Sequence, residues 1–497
     1  MKVMVANRGE IAVRVLRACR ELGFPTVAVY SEADRMALHT RYADEAVAIG
    51  PAPATESYLN IRALLDAAKR SGADAIHPGY GFLAENAAFA QAVEEAGLIF
   101  VGPRPETLSL TGDKLAAKRI AREAGLPVLP GSDRLVDDGD TIGMSEGLDF
   151  PLLVKAVGGG GGRGIRLVET PADLLSAITL ARREAATAFG DDRVYLEPLV
   201  TEARHIEVQI VGDGRGNILC LGERECSIQR RRQKLIEESP APWLADEQRA
   251  YLWDMAARLG HALMYRSLGT VEFLLGPDGV FHFIEVNPRI QVEHPVTEMV
   301  TGIDLVQLQL RLAQGRGLSL QQDDVAFHGW AVEARVLAED PFDGFIPTTG
   351  EITYLKEPGG PGIRVDSALY QGMRVTTDYD SLLAKVIAWG ETRAQAVLRL
   401  RRALREFQIG GVVTDLAFLS EVVGRMPFLA GRVTTSFLDV ERERAEAAVD
   451  RSLERQIVAA VALLHHRNRH DQNVGHDKSR PEGRIDAWQA AAWQEQM

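Results

Sequence analysis

Phe283-Ile284-Glu285-Val286-Asn287-Pro288-Arg289-Ile290-Gln291-Val292-Glu293-His294 carries carboxylate, amide and guanidinium groups at every second position. Side chains alternate faces along an extended chain, so these groups can project from one face as an active site. Upstream, Thr270-Val271-Glu272-Phe273-Leu274-Leu275 adds a carboxylate, and the intervening Gly276-Pro277-Asp278-Gly279 is a turn signal. A four-residue hairpin loop predicts Glu272 opposite Phe283, with Glu285 as its diagonal neighbour at roughly 7–8 Å. In that register Phe273, Leu275, Ile284 and Val286 face the core, while Glu272, Glu285 and Asn287 face away together. Hard oxygen donors, with no Cys or His among them, suit Mg²⁺ or Mn²⁺, and Mg²⁺ commonly completes its shell with substrate phosphates. The hairpin therefore points to a nucleoside triphosphate substrate.

Three globular regions are expected around it. Residues 1–112 alternate apolar strands (Val3–Ala6, Thr26–Tyr30, Ala73–His77, Leu98–Gly102) with amphipathic helices (Glu10–Leu22, Tyr58–Arg70, Glu85–Gly97), which predicts a parallel α/β domain. The first strand-to-helix turn, Asn7-Arg8-Gly9-Glu10, lacks G-x-G-x-x-G, which disfavours a dinucleotide site and a dehydrogenase. Residues 113–320 read as α+β. They hold a helix from Asp113-Lys114, a subdomain over about 128–200, strands His205–Val211 and Ile218–Glu225, the hairpin, and helices Glu247–Met264 and Asp304–Gln314. The subdomain places helix Ala172–Ala188 between strands Pro151–Val157 and Val194–Glu197. Residues 329–440 begin strand-rich (Ala331–Ala338, Gly350–Leu355, Val386–Trp389) and turn helical at Arg393–Glu406. Residues 441–497 read as an apolar-faced helix, Ser452–Leu464, and a polar tail whose His465, His466, His470 and His476 are expected to be solvated.

Bulk properties narrow the function. A length of 497 residues accommodates about three domains at ~150 residues each. The net charge of −13, with dispersed Lys and Arg, argues against a nucleic-acid partner. Cys19, Cys220 and Cys226 form neither CxxC nor an even-numbered framework, so a reducing, cytoplasmic location is expected. No long apolar segment precedes Asn7, and the Ile457–Leu464 run is far short of a ~20-residue span, so neither secretion nor membrane insertion is expected.

Two further segments carry chemistry. Lys155-Ala156-Val157-Gly158-Gly159-Gly160-Gly161-Gly162-Arg163-Gly164 joins an apolar strand to a loop whose backbone N–H groups can turn toward phosphate oxygens and close over a nucleotide. It is not a Walker A loop, since Gly-Lys-Ser/Thr does not follow. Lys114 and Lys155 are expected to neutralise α and β phosphates. Glu197–Val200 end a strand where backbone groups can read an adenine edge, with Val200 or Leu274 packed on the ring and His205 nearby. The stretch Glu223–Lys234 packs five cations, Arg224, Arg230, Arg231, Arg232 and Lys234, which can offset an anionic substrate and a transferring phosphoryl group.

Asn7-Arg8-Gly9-Glu10-Ile11-Ala12, His77-Pro78-Gly79-Tyr80-Gly81-Phe82-Leu83, Lys155 with its glycine loop, Gln229-Arg230-Arg231 through Lys234, and Arg289-Ile290-Gln291-Val292-Glu293-His294-Pro295-Val296-Thr297-Glu298-Met299 closely resemble the biotin carboxylase family of biotin-dependent acyl-CoA and pyruvate carboxylases. The resemblance runs from residue 1 to about 440 and implies an ATP-grasp fold over 113–320. It implies that Lys114, Lys155, the Gly161 and Gly162 backbone, Glu197, Pro198, Leu199, Val200, His205, Arg232 and Leu274 surround ATP. It also implies that Glu272, Glu285 and Asn287 hold two Mg²⁺ or Mn²⁺ ions, and that Lys234, Arg289, Gln291 and Val292 hold bicarbonate. Glu293 would deprotonate bicarbonate, and Arg335 would stabilise the biotin enolate. The reaction implied is phosphorylation of bicarbonate by ATP to carboxyphosphate, whose CO₂ carboxylates biotin. The only Met-Lys pair is Met1-Lys2, so biotin is expected on a separate carrier, with a carboxyltransferase as further partner and a homodimer as the usual assembly.

The chain departs from the family pattern at four positions. Arg232 stands where His is frequent, Pro198 where Lys is, Pro288 where Thr is and Ala334 where Cys is; none removes a catalytic side chain. Another ATP-grasp ligase would keep the metal hairpin but lack the Arg289–Glu293 string. A non-catalytic module would have lost one of Glu272, Glu285, Glu293 or Arg335.

Overall fold

The N-terminal sheet is built from Val3–Val5 (β1), Thr26–Ser31 (β2), Glu45–Gly50 (β3), Ala75–His77 (β4) and Ile99–Phe100 (β5), in the order β3-β2-β1-β4-β5 and parallel throughout. Central β1 is fully buried, as expected of a parallel strand covered on both faces. Helices Gly9–Glu21, Ile61–Ser71 and Ala87–Glu95 join the strands. Asn60 and Asn86 cap the latter two by accepting from the Ala63 and Phe89 N–H groups. The edge strand β3 was not expected. Its sequence is a short apolar run, Ala46-Val47-Ala48-Ile49, without alternation, and only Ile49 of it is buried.

This computed structural model of the chain describes residues 1–131, 136, 145, 147–158 and 164–441. Met1–Asp439 form one compact unit and Val440–Met497 another, of which Val440 and Glu441 are described. The expected Ser452–Leu464 helix, the tail histidines, Gly161 and Gly162 lie outside the described residues.

Leu152–Ala156 (β6), Ile165–Val168 (β7) and Val194–Pro198 (β8) form an antiparallel sheet of order β7-β6-β8. Helix Leu174–Phe189 backs it through a small core that includes Val154, Val168, Ile178 and Leu196. Next come Arg204–Asp213 (β9), Ile218–Arg230 (β10), Gln233–Ser239 (β11), Arg266–Leu275 (β12), Phe281–Asn287 (β13) and Trp330–Leu337 (β14). Glu339–Asp340 (β15) pairs with Ile346–Pro347 (β16), while Gly350–Glu351 (β17) and Tyr354–Lys356 (β18) split the single strand expected over Gly350–Leu355. Ile363–Ser367 (β19), Arg374–Val375 (β20), Leu382–Gly390 (β21) and Gln408–Gly410 (β22) complete the set, with helix Arg393–Glu406 as expected.

One antiparallel sheet of eight strands, β13-β12-β9-β10-β11-β14-β21-β19, carries the cleft. The β11–β14 pairing takes it from the 113–320 region into the 329–440 region without a break. β10 extends beyond the expected Glu225 into the cation-rich stretch, and β11 follows at once. The turn between them is Arg231-Arg232, both at positive φ (48° and 66°). That conformation is normally given to Asn-Gly or Asp-Gly, so no turn signal in the sequence announced the hairpin.

Candidate active site

In the β12–β13 hairpin, Glu272 lies directly opposite Glu285, not Phe283 as the four-residue loop predicted. Two deviations combine. Leu275 pairs with Phe281, so the connection is one residue longer than expected, and a bulge between Glu272 and Phe273 then advances the register by one. Directly opposed residues have Cβ atoms about 4.5–5.5 Å apart, closer than the diagonal pair foreseen. The bulge also changes one face assignment. Phe283 enters the core beside Phe273 and Val286, and Ile284, expected in the core, lines the cleft with Glu285. A bulge re-aims side chains in this way. Glu272, Glu285 and Asn287 all line one cleft, so the shared face expected of them holds.

The carboxylates of this face carry counter-charges. Lys114 Nζ is 3.4 Å from Glu285 Oε2. Lys234 Nζ donates to Glu272 Oε1 at 2.8 Å, His205 Nε2 lies 3.0 Å from Glu272 Oε2, and the Asn287 and Gln291 amides donate to Glu272 Oε1. Burial alone would raise the Glu272 carboxyl; Lys234 and His205 reverse this and hold it well below the usual range. The oxygen set of Glu272, Glu285 and Asn287 fits Mg²⁺ or Mn²⁺. His205, Glu207 and Glu272 also bring ligand atoms within 4.8 Å of one another. Glu272 belongs to both sets, but Glu207 is held by Lys234 and Arg224 whereas Glu285 has Lys114 at 3.4 Å, so the hairpin set is the better metal candidate.

Glu293 lies at the other end of the string. It is fully buried, with Oε1 accepting from Lys234 at 2.7 Å and Oε2 from Arg335 at 2.8 Å. Burial would push its carboxyl up, but Lys234, Arg335 and Arg224 hold it well below the ordinary value. Lys234 meets a third carboxylate, Glu207, and its ammonium is raised well above normal despite burial. Arg289 lines the cleft, donates to Gln291 Oε1 at 2.7 Å and Asn287 Oδ1 at 3.1 Å, and pairs with Glu85. Lys385, fully buried, fixes the Val292 carbonyl at 2.6 Å.

The end of the cleft where a nucleotide is expected from the sequence is equally assembled. Asp113 caps helix Lys114–Glu123 by accepting from the Leu115 and Ala116 N–H groups, which places Lys114 at the helix start and Lys118 one turn on. Lys118 Nζ is 2.6 Å from Glu197 Oε1, and Lys155 pairs with the other Glu197 oxygen. Burial would raise Glu197; the two lysines bring it down to about 2. Pro198, Leu199, Val200, His205, Arg232 and Leu274 line the same cleft of about 510 Å³, within the usual range for ligand sites.

Every described residue expected at the site thus lines the cleft or, for Glu293, bonds to residues that do. Sequence reasoning missed Lys118, Glu207, Glu237 and Lys385, and it left Tyr80 and Gly81, which line the cleft, without a role. Lys118 had a signal, its i, i+4 spacing from Lys114. Glu207 had none, because it sits in a strand read as ordinary sheet; Glu237 and Lys385 had none, because they lie on parts of β11 and β21 outside the strands expected from the sequence.

Comparison with known proteins agrees. Residues 1–108 match the family model for the biotin carboxylase N-terminal domain, 113–321 that for the carbamoyl-phosphate synthase L chain ATP-binding domain, and 333–440 that for the biotin carboxylase C-terminal domain. The chain is 49% identical over 440 residues to biotin carboxylase 1 of Bacillus subtilis, covering 88% of this chain and 98% of that protein. It is 42% identical over 487 residues to the propionyl-CoA carboxylase alpha chain of Ruegeria pomeroyi, covering 93% of this chain and 72% of that one. The biotin carboxylase domain dimer of Hydrogenobacter thermophilus 2-oxoglutarate carboxylase, solved with MgADP, ADP and bicarbonate, superposes with a TM-score of 0.87 at 45% identity, covering 89% and 97% of the two chains. The chain belongs to the biotin carboxylase family, ATP-grasp ligases of the first half-reaction of biotin-dependent carboxylases.

Proposed function

We propose that this biotin carboxylase divides its reaction, ATP-dependent carboxylation of biotin with bicarbonate, among three parts of one cleft. The observation that carries the reading is Glu293, buried between Lys234 and Arg335 and linked through Lys234 to the acidic hairpin.

Lys114 and Lys155 neutralise the α and β phosphates of ATP, with Glu197 fixing Lys155 in place. The backbone of Glu197–Val200 reads the adenine edge, Leu274 packs on the ring, and His205 and Arg232 flank the nucleotide. Glu272, Glu285 and Asn287 would hold one or two Mg²⁺ or Mn²⁺ ions, which supply charge neutralisation for the triphosphate and the transferring phosphoryl group.

Bicarbonate is a poor electrophile and a weak nucleophile, so it must be both deprotonated and activated. Lys234, Arg289, Gln291 and the Val292 backbone hold it; a guanidinium can grip a planar oxyanion bidentately. A bound bicarbonate draws Lys234 toward its own oxygens, which frees Glu293 Oε1 to take the proton. The bicarbonate oxygen then attacks the γ-phosphorus, ADP leaves, and carboxyphosphate forms and breaks down to CO₂ and phosphate. The released phosphate takes the proton of the biotin ureido nitrogen, Arg335 stabilises the resulting enolate, and that nitrogen takes up the CO₂.

Biotin arrives on a carrier protein or domain, a carboxyltransferase completes the second half-reaction, and the chain works as a homodimer in the cytoplasm. Among the described residues no helix is long and apolar enough to cross a membrane. ATP hydrolysis measured with and without bicarbonate and free biotin tests the reading. Hydrolysis that requires bicarbonate and rises with biotin is expected; hydrolysis indifferent to both would return the site to another ATP-grasp ligase.

A further inference from the structure

Arg335 enters the cleft from β14 carrying two carboxylates on one edge. Its Nε donates to Glu237 Oε1 at 2.6 Å, and its Nη2 donates to Glu293 Oε2 at 2.8 Å. Nε and Nη2 form the side of a guanidinium that ordinarily grips a single carboxylate with two parallel hydrogen bonds. Here that edge is split between two residues, one of which is the proposed base. Glu237 stands on β11, fully buried, and the mechanism above gives it no task.

Among the described residues Glu237 has one hydrogen-bond partner, Arg335. Its Oε2 is buried without a hydrogen-bond partner among the described residues. The β11–β14 register sets Glu333 directly opposite, and both oxygens of Glu333 are likewise buried and unpartnered. Opposed side chains start from Cβ atoms about 4.5–5.5 Å apart, so the two buried carboxyls compete for the cations near them. Burial pushes Glu237 up to about 7 against the pull of Arg335, with Glu293 adding to the rise. Burial also pushes Glu333 well above its ordinary value, opposed by Lys385 and reinforced by Glu237. Of the two, Glu237 has the guanidinium as hydrogen-bond partner and Glu333 has none among the described residues, so Glu237 is the carboxyl aimed at Arg335.

We propose that Glu237 is a positioning residue for Arg335: by occupying Nε it prevents the guanidinium from closing bidentately on Glu293 and holds it turned toward the substrate. Without Glu237, Nε swings onto the base, which loses basicity while Arg335 loses its aim. The inference rests on the assignment of Arg335 to biotin carboxylation.

The test is a double-mutant cycle on the full chain with free biotin, reading kcat for biotin carboxylation and KM for ATP in Glu237→Gln, Arg335→Ala and the double variant. Replacing the carboxylate by a neutral amide oxygen removes the charge assistance of this hydrogen bond and predicts a fall in kcat of about 10-fold for Glu237→Gln. KM for ATP should stay unchanged. Glu237→Gln should cost nothing further in the Arg335→Ala background, and Glu237→Asp should recover part of the rate. A structural role would lower kcat by the same factor in both backgrounds, and that additivity overturns the inference while leaving the proposed function standing. Wild-type kcat for Glu237→Gln overturns it too. Undiminished carboxylation by Arg335→Ala overturns the role of Arg335 and this inference with it. Where the Gln variant does not fold, Glu237→Asp runs the same cycle, and an additive loss there has the same meaning.

Discussion

Glu197 and Glu293 are both buried carboxylates clamped by two cations, yet the two clamps are built differently. At Glu197, two lysines from a helix and a strand face one carboxylate. At Glu293, the cations are shared: Lys234 also holds Glu207 and Glu272, and Arg335 also holds Glu237. The first arrangement leaves a surplus of positive charge, which is what a triphosphate requires. The second leaves a surplus of negative charge, which suits divalent cations and a base that must be released when its cations turn to substrate. What distinguishes an anchor from a reactive group is therefore how many carboxylates compete for its partners, since burial and pKa direction are alike for the two.

The largest expected effect separates them by activity. Glu293→Gln removes the base and should lower bicarbonate-dependent ATP hydrolysis by about 10²- to 10⁴-fold while nucleotide binding, followed by titration with ATP, is retained. Unaltered turnover would take Glu293 out of the mechanism.

Glu197→Gln should act on stability instead. A carboxyl that titrates near 2 in the fold and near 4.5 unfolded contributes about 3 kcal/mol at neutral pH. That contribution is complete above pH 4.5 and is lost as the pH falls toward 2, so denaturant curves of wild type and variant should differ at pH 7 and converge across that window. A stability gap that persisted at low pH would remove the ionic basis of the anchor.

Lys155→Ala should raise KM for ATP by roughly 10- to 100-fold with a smaller change in kcat, as loss of one charge-assisted phosphate contact implies. If KM held and kcat fell, the nucleotide end would not be the phosphate binder described. Smallest of all, Arg232→His should move KM for ATP by no more than about 3-fold, because Arg232 is an exposed cation at the rim.

How far the sequence reached follows the same physics. The N-terminal sheet was legible because apolar strands and amphipathic helices differ in period, and the edge strand β3 escaped because its apolar run Ala46–Ile49 is short and does not alternate. The hairpin was found but its register was not, since a bulge at Glu272 has no composition signal and the loop differed by one residue. Lys114 and Lys155 stood out as charges placed on regular elements, and the Arg289–Glu293 string by its alternation, although the extended segment expected there ends at Asn287 and the string runs through a bend and turn into helix His294–Thr301. Glu207, Glu237 and Lys385 did not, because a charge inside a strand looks solvated until its neighbours across the sheet are known: Glu207 faces Arg224 of β10 and Glu272 of β12, Glu237 faces Glu333 of β14, and Lys385 faces Arg335 of β14. Arg231 and Arg232 concealed a tight turn, as positive φ at two arginines contradicts local preference and marks a place where tertiary contacts override it.

The unbroken sheet from β13 to β21 acts as a ruler. The acidic hairpin and Arg335 are graduations on the same hydrogen-bonded lattice, so the span between where phosphate departs and where CO₂ is captured is set by strand spacing, about 4.7–4.9 Å per step. Closure around substrates must then come from parts hung on that lattice, such as the β6–β8 sheet, while the lattice keeps a short-lived intermediate within a fixed number of strands of its acceptor.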